Sequence, residues 1–271
     1  MFRFSKKDSV EYLESGALGG CDFLVHAFCT RWSGVSEGHF ASLNFSVREG
    51  DGSDRIRKNW GIVASAFNLR ADQFFVVHQV HGDRILIVDD ANISVLKHQS
   101  HQCDAIVTDR SGLAIGIKTA DCVPVFLADR EKRIIGVVHA GWRGTALNIA
   151  AKTVTAFAET FFSRSVDMIA VIGPAIGPCC YEVDETVFNA VTGDGSCESA
   201  FSPCGEKGKW MLDLSSANRR QLIQAGIPAE NVFSADVCTS CRKDIFFSHR
   251  GEAGKTGRQI NFMMLKENKP V

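Results

Sequence analysis

An α+β fold, with mixed β-sheets sandwiched by helices in a single domain over residues 1–271, follows from three features of the sequence. Strand-like apolar runs crowd the middle of the chain, with only short turns between them. Few helical segments intervene, so the pattern is not a repeating βαβ unit. No internal repeat, low-complexity tract or Pro/Ser-rich linker divides the chain.

FLVHAF at 23–28 opens the chain as a strand. Residues 53–69 place Ile56, Trp60, Ile62, Val63 and Phe67 near helical spacing, with Ser53 or Asp54 available as cap. β-type runs then follow densely at 74–79, 84–90, 104–109, 113–119, 123–129 and 133–140. From Thr145 to Phe162 apolar residues recur every three or four positions, which predicts one long amphipathic helix. DMIAVI at 167–172 reads as a strand ending on Gly173. Helices are expected near 184–191 and 216–225, the latter capped by Ser215 or Ser216 and ended by Gly226. The polar stretches 192–209 and 250–258 read as loops, the second suited to holding a ligand.

Composition narrows the function classes. Hydrophobic residues make up 45% and charged residues 23%, an ordinary globular mixture. Lys+Arg total 30 against 31 Asp+Glu, so no global basic surface for nucleic acid is expected. No apolar run approaches the roughly 18 residues of a membrane span, so no membrane partner is expected. The first residues carry scattered charges and lack the apolar core of a secretory signal. The 10 cysteines then read as reduced thiols of a cytoplasmic protein rather than as a disulfide framework.

Three residues carry candidate chemistry: His81 in HQVHGD, Cys122 in TADCVP and His139 in VVHAGWRG. Each lies near a predicted strand end, beside a Gly or Pro, where a scaffold presents side chains to a cleft. Imidazole and thiolate are ligands that zinc prefers, and three of them leave a position open for catalysis. Packing in the core is the alternative for each residue taken singly. His78 and His81 are three apart, so on a continuous strand they face opposite sides. Gly82 favours His81 for the site, leaving His78 to pack or hydrogen-bond. After His139, the AGWRG turn into a helix offers amides and Arg143 to an anion such as phosphate. An ordinary turn with a solvated arginine fits equally well.

Other cysteines read differently. Cys238 and Cys241 form one C-x-x-C without a second pair, and adjacent Cys179 and Cys180 have diverging side chains. These are expected to be reduced structural thiols. His98, His101 and Cys103 lie in a polar stretch and read as surface composition.

Taken together, these blocks resemble the YfiH/FAMIN-type laccase-domain family over nearly the whole chain. SLNFSVREGD (42–51), HQVHGD (78–83), CDAIVTD with TADCVPVFLAD (103–129), VVHAGWRGT (137–145), IGPAIGPCCYEV (172–183) and FFSHRGEAGKTGRQINF (246–262) carry the likeness. HAGWRG together with ADCVP is its most specific part. The C-terminal block reads His249-Arg250-Gly251 where the family often has two arginines, so no role at 251 is implied.

The resemblance implies a mixed α/β sandwich related in shape to bacterial cysteine-dependent toxin deamidases. It implies a zinc-dependent purine nucleoside phosphorylase acting on adenosine, inosine and guanosine, with methylthioadenosine as a further candidate and adenosine deaminase as a side activity. His81, Cys122 and His139 would be the metal ligands, with phosphate as co-substrate. Cys122 and Asp121 would be catalytic, Asp121 as an acid–base group. Asn44, Arg48, Gln79 and Arg143 would contact nucleoside or phosphate. Zinc lowers the pKa of bound water to about 7, which suits deamination. Copper enters such a site in vitro because of its place in the affinity series. Three alternatives stand beside this reading: a copper-dependent polyphenol oxidase, a metal-free hydrolase with Cys122 as nucleophile and His139 as base, and a metal-stabilised partner-binding domain.

Overall fold

A computed structural model describes residues 1–267, apart from 49, 98, 194 and 196. Two six-stranded sheets lie face to face. The first runs Phe2–Lys7, Val10–Ser15, Leu24–Cys29, Gln259–Leu265, Ala114–Thr119, Phe74–Val76. The second runs Val232–Ser234, Met168–Ile172, Val123–Asp129, Ile134–Ala140, Ala105–Thr108, Ile85–Val88. Both are mixed: inner pairs are antiparallel, while Phe74–Val76, Val232–Ser234 and Ile85–Val88 pair in parallel at edges. A third sheet of three short strands, Glu182–Asp184, Lys209–Leu212 and Phe201–Pro203, joins the core on the helix side of the second sheet through Val183 and Leu212.

Alternation of side chains along the strands creates the layers. In Val123–Asp129 every residue is buried. Phe126 and Ala128 enter the core between the sheets with Phe28, Ile115, Ile117 and Met263. Val125 and Leu127 point the other way, onto helices Ile149–Phe161 and Leu214–Gln224. Helix Ser53–Ala66 covers the outer face of the first sheet through Val63 and Ala66. The order helix, sheet, sheet, helix is the sandwich expected from the sequence. Among the described residues no helix is long and apolar enough to cross a membrane.

Several local expectations change. The helix expected over 145–162 is two helices, Trp142–Ala146 and Ile149–Phe161. Asn148 separates them in the left-handed region at φ 59°, a conformation asparagine tolerates better than most residues. Leu214–Gln224 is capped by Asp213, whose carboxylate accepts from the Ser216 amide, rather than by Ser215 or Ser216. Gly52, not Ser53 or Asp54, occupies the cap of Ser53–Ala66. Cys103 is buried in the inter-sheet core rather than on the surface, and His101 hydrogen-bonds the Leu96 carbonyl. His98 lies outside the described residues. The stretch 192–209 includes strand Phe201–Pro203. The N-terminal hairpin and strand Gln259–Leu265 had no counterpart in the sequence reading. The latter is buried throughout and lacks the alternation that marks a one-sided strand.

At the centre of the inter-sheet core the fully buried Phe28 and Phe126 rings stack at 4.1 Å and 10°. A Cβ on Gly173 would sit 2.3 Å from the Phe28 ring, so this strand end approaches the stack only as glycine. Phe126→Ala is expected to cost about 3–5 kcal/mol in denaturant unfolding, with the m-value unchanged. A loss below about 1 kcal/mol would show that the stack is not the packing centre.

Candidate metal centre and its cavity

The chain brings His81, Cys122 and His139 together where it passes between the sheets. His81 follows the first-sheet strand Phe74–Val76, and Cys122 sits in the crossing from Ala114–Thr119 to Val123–Asp129. His139 lies near the end of Ile134–Ala140. One donor atom from each falls within 4.8 Å of the other two. The His81 and His139 rings meet edge-on at 4.9 Å between centroids. Gly141 leaves room for the group. A Cβ there would lie 3.0 Å from Cys122 Sγ and 3.1 Å from His81 Cδ2.

Asp104 organises this cluster, and sequence reasoning passed over it although it stands in the CDAIVTD block. It is fully buried. Its carboxylate accepts the backbone amides of Val80, His81 and Gly82 at 3.2, 2.9 and 2.8 Å. It also accepts His139 Nδ1–H at 2.8 Å, while its carbonyl accepts the His139 amide at 2.7 Å. The signal that could have found it is a lone acidic residue opening an apolar strand. Burial pushes the Asp104 carboxyl up, but the hydrogen bond and charge of His139 and the Gly82 and Val80 amides hold it below its usual range. That bond fixes the His139 tautomer and aims Nε2 at the cluster. Burial also opposes charge on Cys122 and His139, yet each favours the ionised form of the other. His81 adds a hydrogen bond to the sulfur, so the thiol lies well below its usual value. Two imidazoles and a thiolate-prone sulfur, oriented by a buried carboxylate, fit a zinc ion with an open position.

The cluster opens into a cavity of about 430 Å³. Trp142, Ile176 and Tyr181 supply apolar and aromatic wall. Burial, then the charge on Cys122, push the Tyr181 hydroxyl up, so it remains a donor. Three cations, Arg48, Lys118 and Arg258, also line the cavity and stand near one another. Burial pushes the Lys118 ammonium below its ordinary value, and the Arg48 and Arg258 charges push it further. Like charges gathered in this way form a site that an anion relieves.

The other expected residues divide. Arg48 lines the cavity and hydrogen-bonds His78 and the Gln79 carbonyl. Gln79 also lines it, exchanging two bonds with the Lys118 backbone at 2.7 and 2.8 Å. Asp121 stands beside Cys122 at φ 92°, accepting Thr239 Oγ1–H and the Arg250 amide, both at 2.6 Å. Asn44 is buried behind the wall. It accepts from the Ser46 and Arg258 amides and donates to the Ser46 carbonyl and Asp51, so it positions rather than touches. Arg143 is exposed, lies 4.2 Å over the Trp142 ring and does not line the cavity. The helix that begins there has only five residues, which removes the case for an anion at its start. His78 lines the cavity together with His81, because the strand ends at Val76 and alternation no longer applies. Lys118, Tyr181, His249, Arg250 and Arg258 also line the cavity, and the sequence did not mark them as contacts.

Residues 25–266 match the family model described as multi-copper polyphenol oxidoreductase laccase. A Geobacillus stearothermophilus protein named purine nucleoside phosphorylase YlmD is 34% identical over 249 residues, covering 90% of each chain. The human protein named purine nucleoside phosphorylase LACC1 is 31% identical over 257 residues, covering 91% of this chain and 56% of that one. The crystal structure of Bacillus licheniformis hypothetical protein YfiH superimposes with a TM-score of 0.90 at 35% identity, over 98% of this chain and 99% of that one.

Two substitutions test the centre. Gly141→Ala inserts a methyl group between sulfur and imidazole and should abolish metal binding at this centre. Asp104→Asn removes the carboxylate that orients His139 and should weaken zinc affinity about 10- to 100-fold in a chelator competition. Wild-type affinity in both variants would mean that the three residues are not ligands.

Proposed function

This chain belongs to the family described as multi-copper polyphenol oxidoreductase laccase, and from that premise we propose that it is a purine nucleoside phosphorylase acting on adenosine, inosine and guanosine. Adenosine deamination is the second part of the proposal. One observation carries the reading: the His81, Cys122, His139 group and the Arg48, Lys118, Arg258 wall line the same cavity. A cavity of this size suits a nucleoside with an anion beside it. The names of the YlmD and LACC1 relatives support the same reaction. The ten cysteines form no disulfide with one another, which fits a reducing, cytoplasmic setting.

His81, Cys122 and His139 would hold zinc. When bound, zinc supplies Lewis-acid charge in a partly desolvated site. Arg48, Lys118 and Arg258 hold phosphate by charge-assisted hydrogen bonds. Gln79 keeps the Lys118 backbone in place. A phosphate oxygen attacks C1′ of the ribose, the C1′–N9 bond breaks, and its electron pair leaves with the purine. Trp142 and Tyr181 flank the planar base, and the Tyr181 hydroxyl donates a hydrogen bond to it. Asp121 Oδ2, fixed by the Arg250 amide, takes the proton that the attacking hydrogen phosphate gives up and passes it to the departing purine, so ribose-1-phosphate and the neutral base are the products. In deamination, water adds at C6 of adenosine and ammonia leaves, giving inosine without phosphate. Arg143 has a supporting part, its guanidinium lying over the Trp142 ring.

Polyphenol oxidation at several coppers fits less well. Among the described residues the donor group at this site consists of His81, Cys122 and His139. A specific observation does favour one other reading. Cys122, His139 and Asp104 stand in the order of a thiol nucleophile, its base and an orienting carboxylate. His81 as a second imidazole on the sulfur favours the metal instead. Thiol alkylation that zinc blocks supports the metal. Alkylation indifferent to zinc and to chelators supports the hydrolase.

Lys118→Ala is the sharper test of the phosphorylase. The phosphate KM for inosine cleavage should rise about 10- to 100-fold, the loss of one charge-assisted contact. Adenosine deamination, which uses no phosphate, should fall much less. Equal loss of both activities would place Lys118 at the nucleoside and overturn the anion wall.

A further inference from the structure

A second donor cluster lies outside the cavity lining and has no part in the chemistry above. Cys179 and Cys180 are on the turn that follows Gly177, and Cys238 and Cys241 are on the turn that follows Val232–Ser234. The sequence separates the two pairs and gives neither enough ligands, hence the expectation of unpartnered thiols. The fold overturns its premise. All four sulfurs lie within 4.8 Å of one another, with Cys241 Sγ 3.5 Å from both Cys179 and Cys180. The Cys179 and Cys180 side chains therefore converge on the C-x-x-C despite being adjacent.

These spacings discriminate between chemistries. A disulfide brings its sulfurs to about 2.05 Å, far shorter than the two contacts at Cys241. Four thiolates at the usual zinc–sulfur distance of about 2.3 Å around a tetrahedron stand about 3.8 Å apart. The Gly177 amide donates to Cys238 Sγ at 3.2 Å, a hydrogen bond that offsets thiolate charge. The turn reaches the sulfurs because position 177 is glycine. A Cβ there would lie 3.2 Å from Cys238 Cβ and 3.4 Å from Cys179 Sγ.

We propose that Cys179, Cys180, Cys238 and Cys241 hold one zinc ion in a closed, tetrahedral, structural site separate from the His/Cys/His centre. Four protein ligands leave no open position, so the ion binds no substrate. Its place in the fold explains what it does. The two turns otherwise meet through short backbone contacts, Ala175 with Val237 and Thr239. Thr239 holds Asp121 through its hydroxyl, Ile176 holds the Asp121 carbonyl through its amide, and Tyr181 lines the cavity. The zinc clamps both turns and thereby fixes the wall that carries Asp121 and Tyr181.

Zinc per chain, measured on protein purified under reducing conditions from zinc-supplemented growth, tests this directly. Wild type should carry about two equivalents, and both Cys122→Ala and Cys238→Ser about one. Cobalt exchange adds a readout that needs no variant. The wild type should show the intense visible bands of a tetrahedral tetrathiolate, kept in Cys122→Ala and lost in Cys238→Ser. If Cys238→Ser disturbs folding by near-ultraviolet circular dichroism, the exposed Cys179→Ser takes its place. A wild type with a single zinc lost in Cys122→Ala, a Cys238→Ser protein with full metal content, or absent tetrathiolate bands would each overturn the proposal. So would fewer than 10 titratable thiols in the unfolded, unreduced chain, which would reveal a disulfide instead. The Cys122→Ala arm reports on the cavity centre alone, so failure of one site is distinguishable from failure of the other.

Discussion

The buried carboxylate of Asp104 is the interaction on which the candidate site depends. A charge in this position is tolerable only when every lone pair is used, and here three amides and one imidazole use them. The same four bonds fix the backbone that carries His81 and the ring that carries the second imidazole. One carboxylate thus converts two remote pieces of chain into a matched pair of donors. Replacing it by an apolar residue would leave the Val80–Gly82 amides without acceptors and His139 without an orienting partner.

The layered core supplies the rigidity that this arrangement needs. Cys122 sits where the chain leaves the first sheet for the second, so the sheets' packing sets its position relative to His81 and His139. Two such crossings, from Phe74–Val76 to Ile85–Val88 and from Ala114–Thr119 to Val123–Asp129, hold His81 at φ 60° and Asp121 at φ 92°, conformations that non-glycine residues rarely adopt. Such conformations cost energy and persist where surrounding contacts over-determine them. Asp121 is held from three sides, by Ile176, Thr239 and Arg250. The cation wall is built on the same principle from other parts of the chain: Lys118 on a first-sheet strand, Arg258 just before another, and Arg48 on the loop that Asn44 shapes.

Local sequence carried the strands and singled out the three residues that the fold brings together, His81, Cys122 and His139, because each stands in a short block with its own turn residues. It was silent where the determining contact is remote. Asp104 looks like any acidic residue at a strand start until the fold lays His139 and the Val80–Gly82 turn around it. The two pairs of distal cysteines are separated by some sixty residues, and contacts such as the pairing of Ala175 with Cys238 make them neighbours. Arg143 drew attention through a helix start that Asn148 cuts short, while Lys118 and Arg258 sit in strand-like or loop sequence with no local mark of an anion site. Gln259–Leu265 escaped because a strand covered on both faces has no polar side to alternate with.

The most direct measurement of the account follows oxygen-18 from fully labelled inorganic phosphate during inosine cleavage by the purified, zinc-loaded protein. Direct attack of phosphate on C1′ transfers a phosphate oxygen to the sugar, so ribose-1-phosphate should retain all of the label and hypoxanthine none. Unlabelled free ribose as the product, or inosine consumption at the same rate without phosphate, would contradict it.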